Sequence, residues 1–142
     1  MAAFNKFQVF VENVAEGVHN LGGHTLKVML CNTAPVATNS VKADLTEISA
    51  GNGYTAGGNS ASITSSVHSS GTYKLVLADP ATWTAAGGSI GPFRYAVLYN
   101  DSPTSPADPL IGWWDYGSSI TLATGETFTV DFDPTSGVLT LA

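Results

Sequence analysis

Charge is scarce in this chain. Asp, Glu, Lys and Arg make up 11% of its 142 residues, under half of what an average globular domain carries. Basic residues are the scarcest: Lys6, Lys27, Lys42, Lys74 and Arg94 stand against eleven acidic residues, leaving a net charge of −6. That balance excludes the clustered basic face that nucleic-acid binding needs. The single cysteine, Cys31, excludes an intrachain disulfide, so folding needs no oxidising compartment. No apolar run approaches the length of a membrane span. Asn5, Lys6, Gln8, Glu12 and Asn13 interrupt the stretch in which a secretory leader would need an unbroken apolar centre. Synthesis in a cytoplasm is the expectation, with no membrane and no nucleic acid as partner.

What fills the space left by charge is hydroxyl, amide and glycine. Hydrophobic content is 44%, enough to fold, and the length fits one domain, residues 1–142, burying roughly two thirds of its unfolded surface. A weakly charged, hydroxyl-rich surface suits a protein held in an assembly or exposed outside cells.

The strongest pattern lies between Gly91 and Tyr116. Phe93, Tyr95, Val97 and Tyr99 alternate with Arg94, Ala96, Leu98 and Asn100, the period of a strand with one buried face. Three prolines in Asp101–Pro109 end the ladder, and a second strand resumes at Leu110. Trp113 and Trp114 then fall on opposite faces, so one of them needs a cover from outside its own core. Further strands read at His24–Cys31, Ser60–Ser69, Thr72–Ala78, Thr127–Phe132 and Val138–Leu141, with Trp83 inserted into the core from a short piece. Residues 5–12 read as a strand, while Asn13–Leu21 fits either a helical turn or a bulged strand. Asp44–Ile48 reads as one helical turn with Asp44 near its start. Gly51–Gly58 is a glycine-dense turn around Tyr54; it lacks the Lys-Ser/Thr pair and helix of a phosphate loop.

About eight short strands with turn signals and little helix specify an all-β chain, an antiparallel β-sandwich of jelly-roll or Greek-key type. Leu26, Val28, Leu30, Phe93, Tyr95, Val97, Phe128, Val130 and Phe132 are its expected core.

Chemistry-bearing groups are few. His19 and His24 flank the Gly22-Gly23 turn and can meet across it, but no third ligand is spaced to complete a metal site. Cys31 has no basic neighbour to activate it and reads as a packed side chain. Asp131 and Asp133, with Glu126 or Asp115, offer oxygen ligands for calcium or a solvated sheet edge, the second being preferred. Trp83, Trp113, Trp114, Tyr95, Tyr99 and Tyr116 make either a sugar-stacking face or a core, and strand alternation favours the core. No Ser-His-Asp or Cys-His order is legible. The expectation is a non-enzymatic protein with no catalytic residue, no cofactor and no metal.

Five stretches carry a resemblance: Thr25–Pro35 (TLKVMLCNTAP), Gly51–Gly58 (GNGYTAGG), Ala96–Asn100 (AVLYN), Phe128–Phe132 (FTVDF) and Gly137–Leu141 (GVLTL). In this order they resemble a widespread family of small tailed-bacteriophage virion proteins, over most of the chain from about residue 18 onward. The resemblance implies a virion component made in the host cytoplasm, most simply a decoration or cement protein. Its implied partner is the major capsid protein. A dimer or trimer is expected separately, because one core cannot cover both Trp113 and Trp114 and little charge keeps apolar patches apart. On the virion expectation Met1–Glu12 is an extended arm or an edge strand. Trp113, Trp114, Phe4, Phe7 and Val9 are then the partner interface. A tail or fibre component that contacts a receptor is the alternative, and a carbohydrate-binding module a weaker one.

Overall fold

The structure, a computed structural model, describes residues 2–142. Ten strands and one short helix follow in the order β1 (Asn5–Lys6), α1 (Val9–Ala15), β2 (Leu26–Cys31), β3 (Asn59–Ala61), β4 (Ile63–Ser69), β5 (Thr72–Leu77), β6 (Trp83–Thr84), β7 (Ile90–Asn100), β8 (Leu110–Leu122), β9 (Thr127–Phe128) and β10 (Leu139–Leu141). All pairings are antiparallel. They make a five-stranded sheet ordered β1-β8-β7-β2-β3, a three-stranded sheet β10-β5-β4, and the pair β6-β9. The chain is therefore the all-β antiparallel sandwich that its alternation implies.

The core lies between the large sheet and the two smaller ones. Leu26, Val28 and Leu30 of β2, Phe93, Ala96 and Leu98 of β7, and Trp114 of β8 meet Leu75 and Leu77 of β5, Trp83 of β6 and Leu139 of β10. Trp83 is fully inserted, as expected. The other face of the large sheet is also buried. Met29, Cys31, Val97, Tyr99 and Leu110 pack there with Phe7 as a second cluster. The chain on either side of Pro35 covers it, held by main-chain bonds from Gln8 N to Ala37 O (2.9 Å) and from Leu110 N to Ser40 O (3.0 Å).

Three local expectations change. Residues 5–12 are not one strand: pairing with β8 stops at Lys6, Phe7 turns into the second cluster, and the helix that follows buries Phe10 and Asn13 at a spacing of three. Asp44 does not start a helical turn. It closes a 3-10 turn at Lys42–Asp44, and its carboxylate reaches back to accept the Ser40 and Val41 amides at 2.8 and 3.2 Å. The expected strand Thr127–Phe132 ends at Phe128. Continuing its register along the chain beyond β6 sets Asp79 beside Phe132 and proline at position 80 beside Asp131. The Phe132 amide accordingly donates to the Asp79 side chain (2.7 Å) rather than to main chain.

The face assignment within β7 also changes. Phe93 belongs to the sandwich core, but Tyr95, Val97 and Tyr99 lie on the opposite side, because the β7–β8 ladder breaks between Phe93 and Tyr95. Tyr95, Phe128 and Val130 are only half-buried. Consequently Phe93→Ala is expected to cost about 3–5 kcal/mol of unfolding free energy, and Phe128→Ala clearly less. Urea titrations of the two variants beside the parent chain check the order.

Candidate functional site: a closed polar interior and an open aromatic cleft

Trp113 and Trp114 do face opposite ways, and the chain itself covers both. The Phe7 ring lies 4.5 Å from that of Trp113, and the Phe4 ring 5.3 Å from that of Trp114. Gly112 makes this possible: a Cβ there would overlap the Phe4 ring and come within 2.8 Å of the Asn5 carbonyl oxygen. Phe7 is fully buried and Trp114 is 7% exposed, while Val9 is the half-buried first residue of α1. Of the residues expected at a partner interface, Trp113, Trp114, Phe4 and Phe7 thus pack against one another within the chain, because the N-terminal segment folds back as an edge strand.

The two histidines come together, but around an amide. Asn100, fully buried at the end of β7, donates through Nδ2 to Nδ1 of His19 (3.1 Å) and of His24 (2.9 Å), while its Oδ1 accepts the Ser102 amide (3.1 Å). With Nδ1 accepting, the proton of the neutral His19 ring sits on Nε2. His19 Nε2 has no partner in its buried position. Burial, then the neighbouring His24, lower the His19 pKa from 6.5 to about 4. Among the described residues no group of three or more metal-ligating side chains converges.

A second polar group sits where β2 outruns its neighbour. Pairing with β3 ends at Val28, leaving the outward main chain of Leu30 without a strand. The Leu30 amide donates instead to the Tyr54 hydroxyl (3.0 Å), and its carbonyl accepts Ile48 N (3.1 Å). Tyr54 then donates to Glu47 Oε1 at 2.7 Å, which also accepts the Gly57 amide at 2.6 Å, and Lys42 lies 3.4 Å from Glu47 Oε2. The Tyr99 hydroxyl donates to the Gly57 carbonyl (2.7 Å). Gly58 has to be glycine: its φ is +74°, and a Cβ would overlap the Val28 carbonyl. Burial and the nearby Glu47 raise the Cys31 thiol to about 12, so it is a packed thiol rather than a nucleophile.

The carboxylates expected to share a sheet edge have separate tasks. Asp133 caps the last turn by accepting the Thr135 and Ser136 amides (2.7 and 3.2 Å). Asp115 forms a two-point ion pair with Arg94, at 2.7 and 3.0 Å, which holds the carboxyl below its usual range with help from the Gly117 amide. Asp131 is exposed and has no ion-pair partner among the described residues.

Asp131 stands at the rim of a cleft of about 260 Å³ between the large sheet and the segment after β9. Phe93, Ala96, Trp114, Tyr116, Phe128 and Val130 are among the residues that line it, and the accessible apolar surface is mainly that of Tyr116, Phe128 and Val130, since Phe93 and Trp114 are buried. Of the six aromatics weighed as a sugar face, Trp114 and Tyr116 line this cleft with Tyr95. Trp83, Trp113 and Tyr99 do not. No local sequence signal marks the cleft, which exists because a strand that alternation favours finds no partner.

No protein-family model, no curated protein and no solved structure matches this chain.

Two outcomes follow from the polar interior. The unfolded chain takes up a proton on His19 near pH 6.5, the folded chain only near pH 4. This contribution to stability is therefore complete above pH 6.5 and is lost as pH falls toward 4, by about 3 kcal/mol at most. Urea titrations across that range should show the loss, and His19→Gln should flatten it. Tyr54→Phe orphans the Leu30 amide and removes a donor from Glu47, at a cost of about 1–3 kcal/mol; amide exchange should then quicken at Leu30 and Gly57 before it does in β7.

Proposed function

We propose that this chain is a non-enzymatic structural protein of a tailed-phage virion, a decoration or cement protein that binds the major capsid protein and stabilises the head shell. The observation that carries the reading is where the resembling motifs go. Thr25–Pro35, Gly51–Gly58 and Ala96–Asn100 bolt to one another through Leu30–Tyr54 and Tyr99–Gly57. The residues that mark the resemblance are thus those that make the scaffold, as suits a family kept for its shape. His19, Cys31, Glu47 and Tyr54 are engaged or enclosed within the same scaffold.

Its surface fits a role in assembly. β4 is an edge strand of the sequence ITSSVHS, without charge or proline, and Val67 on it is 60% exposed. Such an edge is open to pairing with another chain, and a dimer or trimer on the lattice is part of the proposal. Binding the finished shell and not its unassembled subunits stabilises the shell by mass action at every site. The protein is made in the host cytoplasm and resides in the virion.

Particles lacking the protein should lose their genome at lower temperature or under milder osmotic shock than complete ones, and adding purified protein back should restore them. Particles with sound heads that no longer adsorb to the host would overturn the shell reading in favour of a tail component.

A further inference from the structure

The segment after β9 has the features of a strand without its ladder. Along Phe128–Phe132 exposure alternates: Phe128 and Val130 are half-buried, Thr129 and Asp131 exposed, Phe132 buried. That is the period of extended backbone. Yet the main-chain N–H and C=O groups of Thr129, Val130 and Asp131 take part in no hydrogen bond among the described residues. The segment is fastened at its ends by side chains only, Thr82 Oγ1 to Thr129 Oγ1 at 2.6 Å and Phe132 N to Asp79 at 2.7 Å. The same three residues form one wall of the aromatic cleft.

We infer that this cleft is a docking site for an extended peptide segment of a partner protein. The segment pairs its main chain with Thr129–Asp131, seats one large apolar side chain against Tyr116, Phe128 and Val130 above Trp114, and brings a basic residue to Asp131. Unpaired main chain beside an apolar floor is what strand addition uses: the ladder supplies affinity and the pocket selects a side chain. The cleft, at about 260 Å³, is smaller than the usual range for a drug-sized ligand and suits a single side chain. Charge sets the remaining preference. Arg94 is neutralised by its two-point pair with Asp115, so among the described residues Asp131 is the charge at the rim without an ion-pair partner, on a chain of net charge −6.

The site itself stands on the geometry, and rests on the shell-binding reading only for the identity of the partner, whose segment would then belong to the capsid protein. The test uses a displayed random-peptide library selected against the immobilised full chain and counter-selected against Val130→Asp. Enriched peptides should carry a large apolar residue flanked by Lys or Arg. Titrated into the labelled full chain, one of them should shift and protect the Thr129, Val130 and Asp131 amides and shift the Trp114 indole. Asp131→Lys, at an exposed position that leaves the fold intact, should weaken that peptide about five- to tenfold and favour acidic peptides on reselection. The inference is overturned if no peptide is enriched, if the shifts map to the β4 edge, or if Asp131→Lys leaves the preference unchanged. It is equally overturned if neutral oligosaccharides saturate the cleft while peptides do not. None of these results depends on particle stability, so the inference and the shell-binding reading can fail separately.

Discussion

The Tyr54 hydroxyl, between the Leu30 amide and the Glu47 carboxylate, is the contact on which the rest of this fold depends. β2 is at the centre of the core, yet its neighbour β3 covers only Leu26–Val28. A buried strand cannot leave its outward main chain unpaired without a cost of several kcal/mol. The long connection between β2 and β3 resolves this by folding back as a substitute edge: Ile48 serves the Leu30 carbonyl and Tyr54 its amide. Once that connection is fixed, it can cover the second face of the large sheet together with Phe7 and Trp113. The sheet is buried on both sides for this reason.

Much of the fold was legible from the sequence, and the misses have physical causes. Alternation located β2, β5, β7 and β8 because each buries apolar side chains along at least one face, and it located the edge strand β4 from its alternating pattern although no residue of β4 is fully buried. It failed in β7, where Ala96, Val97, Leu98 and Tyr99 form an unbroken run. That run is the mark of a strand buried on both faces, and the alternating reading passed over it. The N-terminal segment departs from its strand pattern because the helix after Phe7 buries only Phe10 and Asn13, and the polar Asn13 leaves no mark in a hydrophobic count. Tyr54 was recognised as a turn anchor, but its partners Leu30 and Glu47 are distant in sequence and leave no local trace.

The candidate surface was less legible than the fold. A pair of tryptophans on opposite faces pointed outward, and the structure satisfies both from within, through an edge strand that lies flat only because position 112 is glycine. The cleft arises from the reverse situation. FTVDF has the pattern of a strand, but the facing chain carries Asp79-Pro80, and proline cannot supply a ladder donor. Whether a patterned segment pairs is decided by the chain opposite it, which periodicity along one segment does not report.

A scaffold whose distinctive residues hold it together, with an uncharged edge strand and an apolar cleft left open, is suited to adding itself to a larger assembly. For the proposed virion role, the most direct measurement of that claim is immunogold labelling of intact particles of the phage proposed to encode this chain, with antibodies raised against the folded domain. The account predicts gold distributed over the head surface. Label confined to the tail, or absent from intact particles, would contradict it.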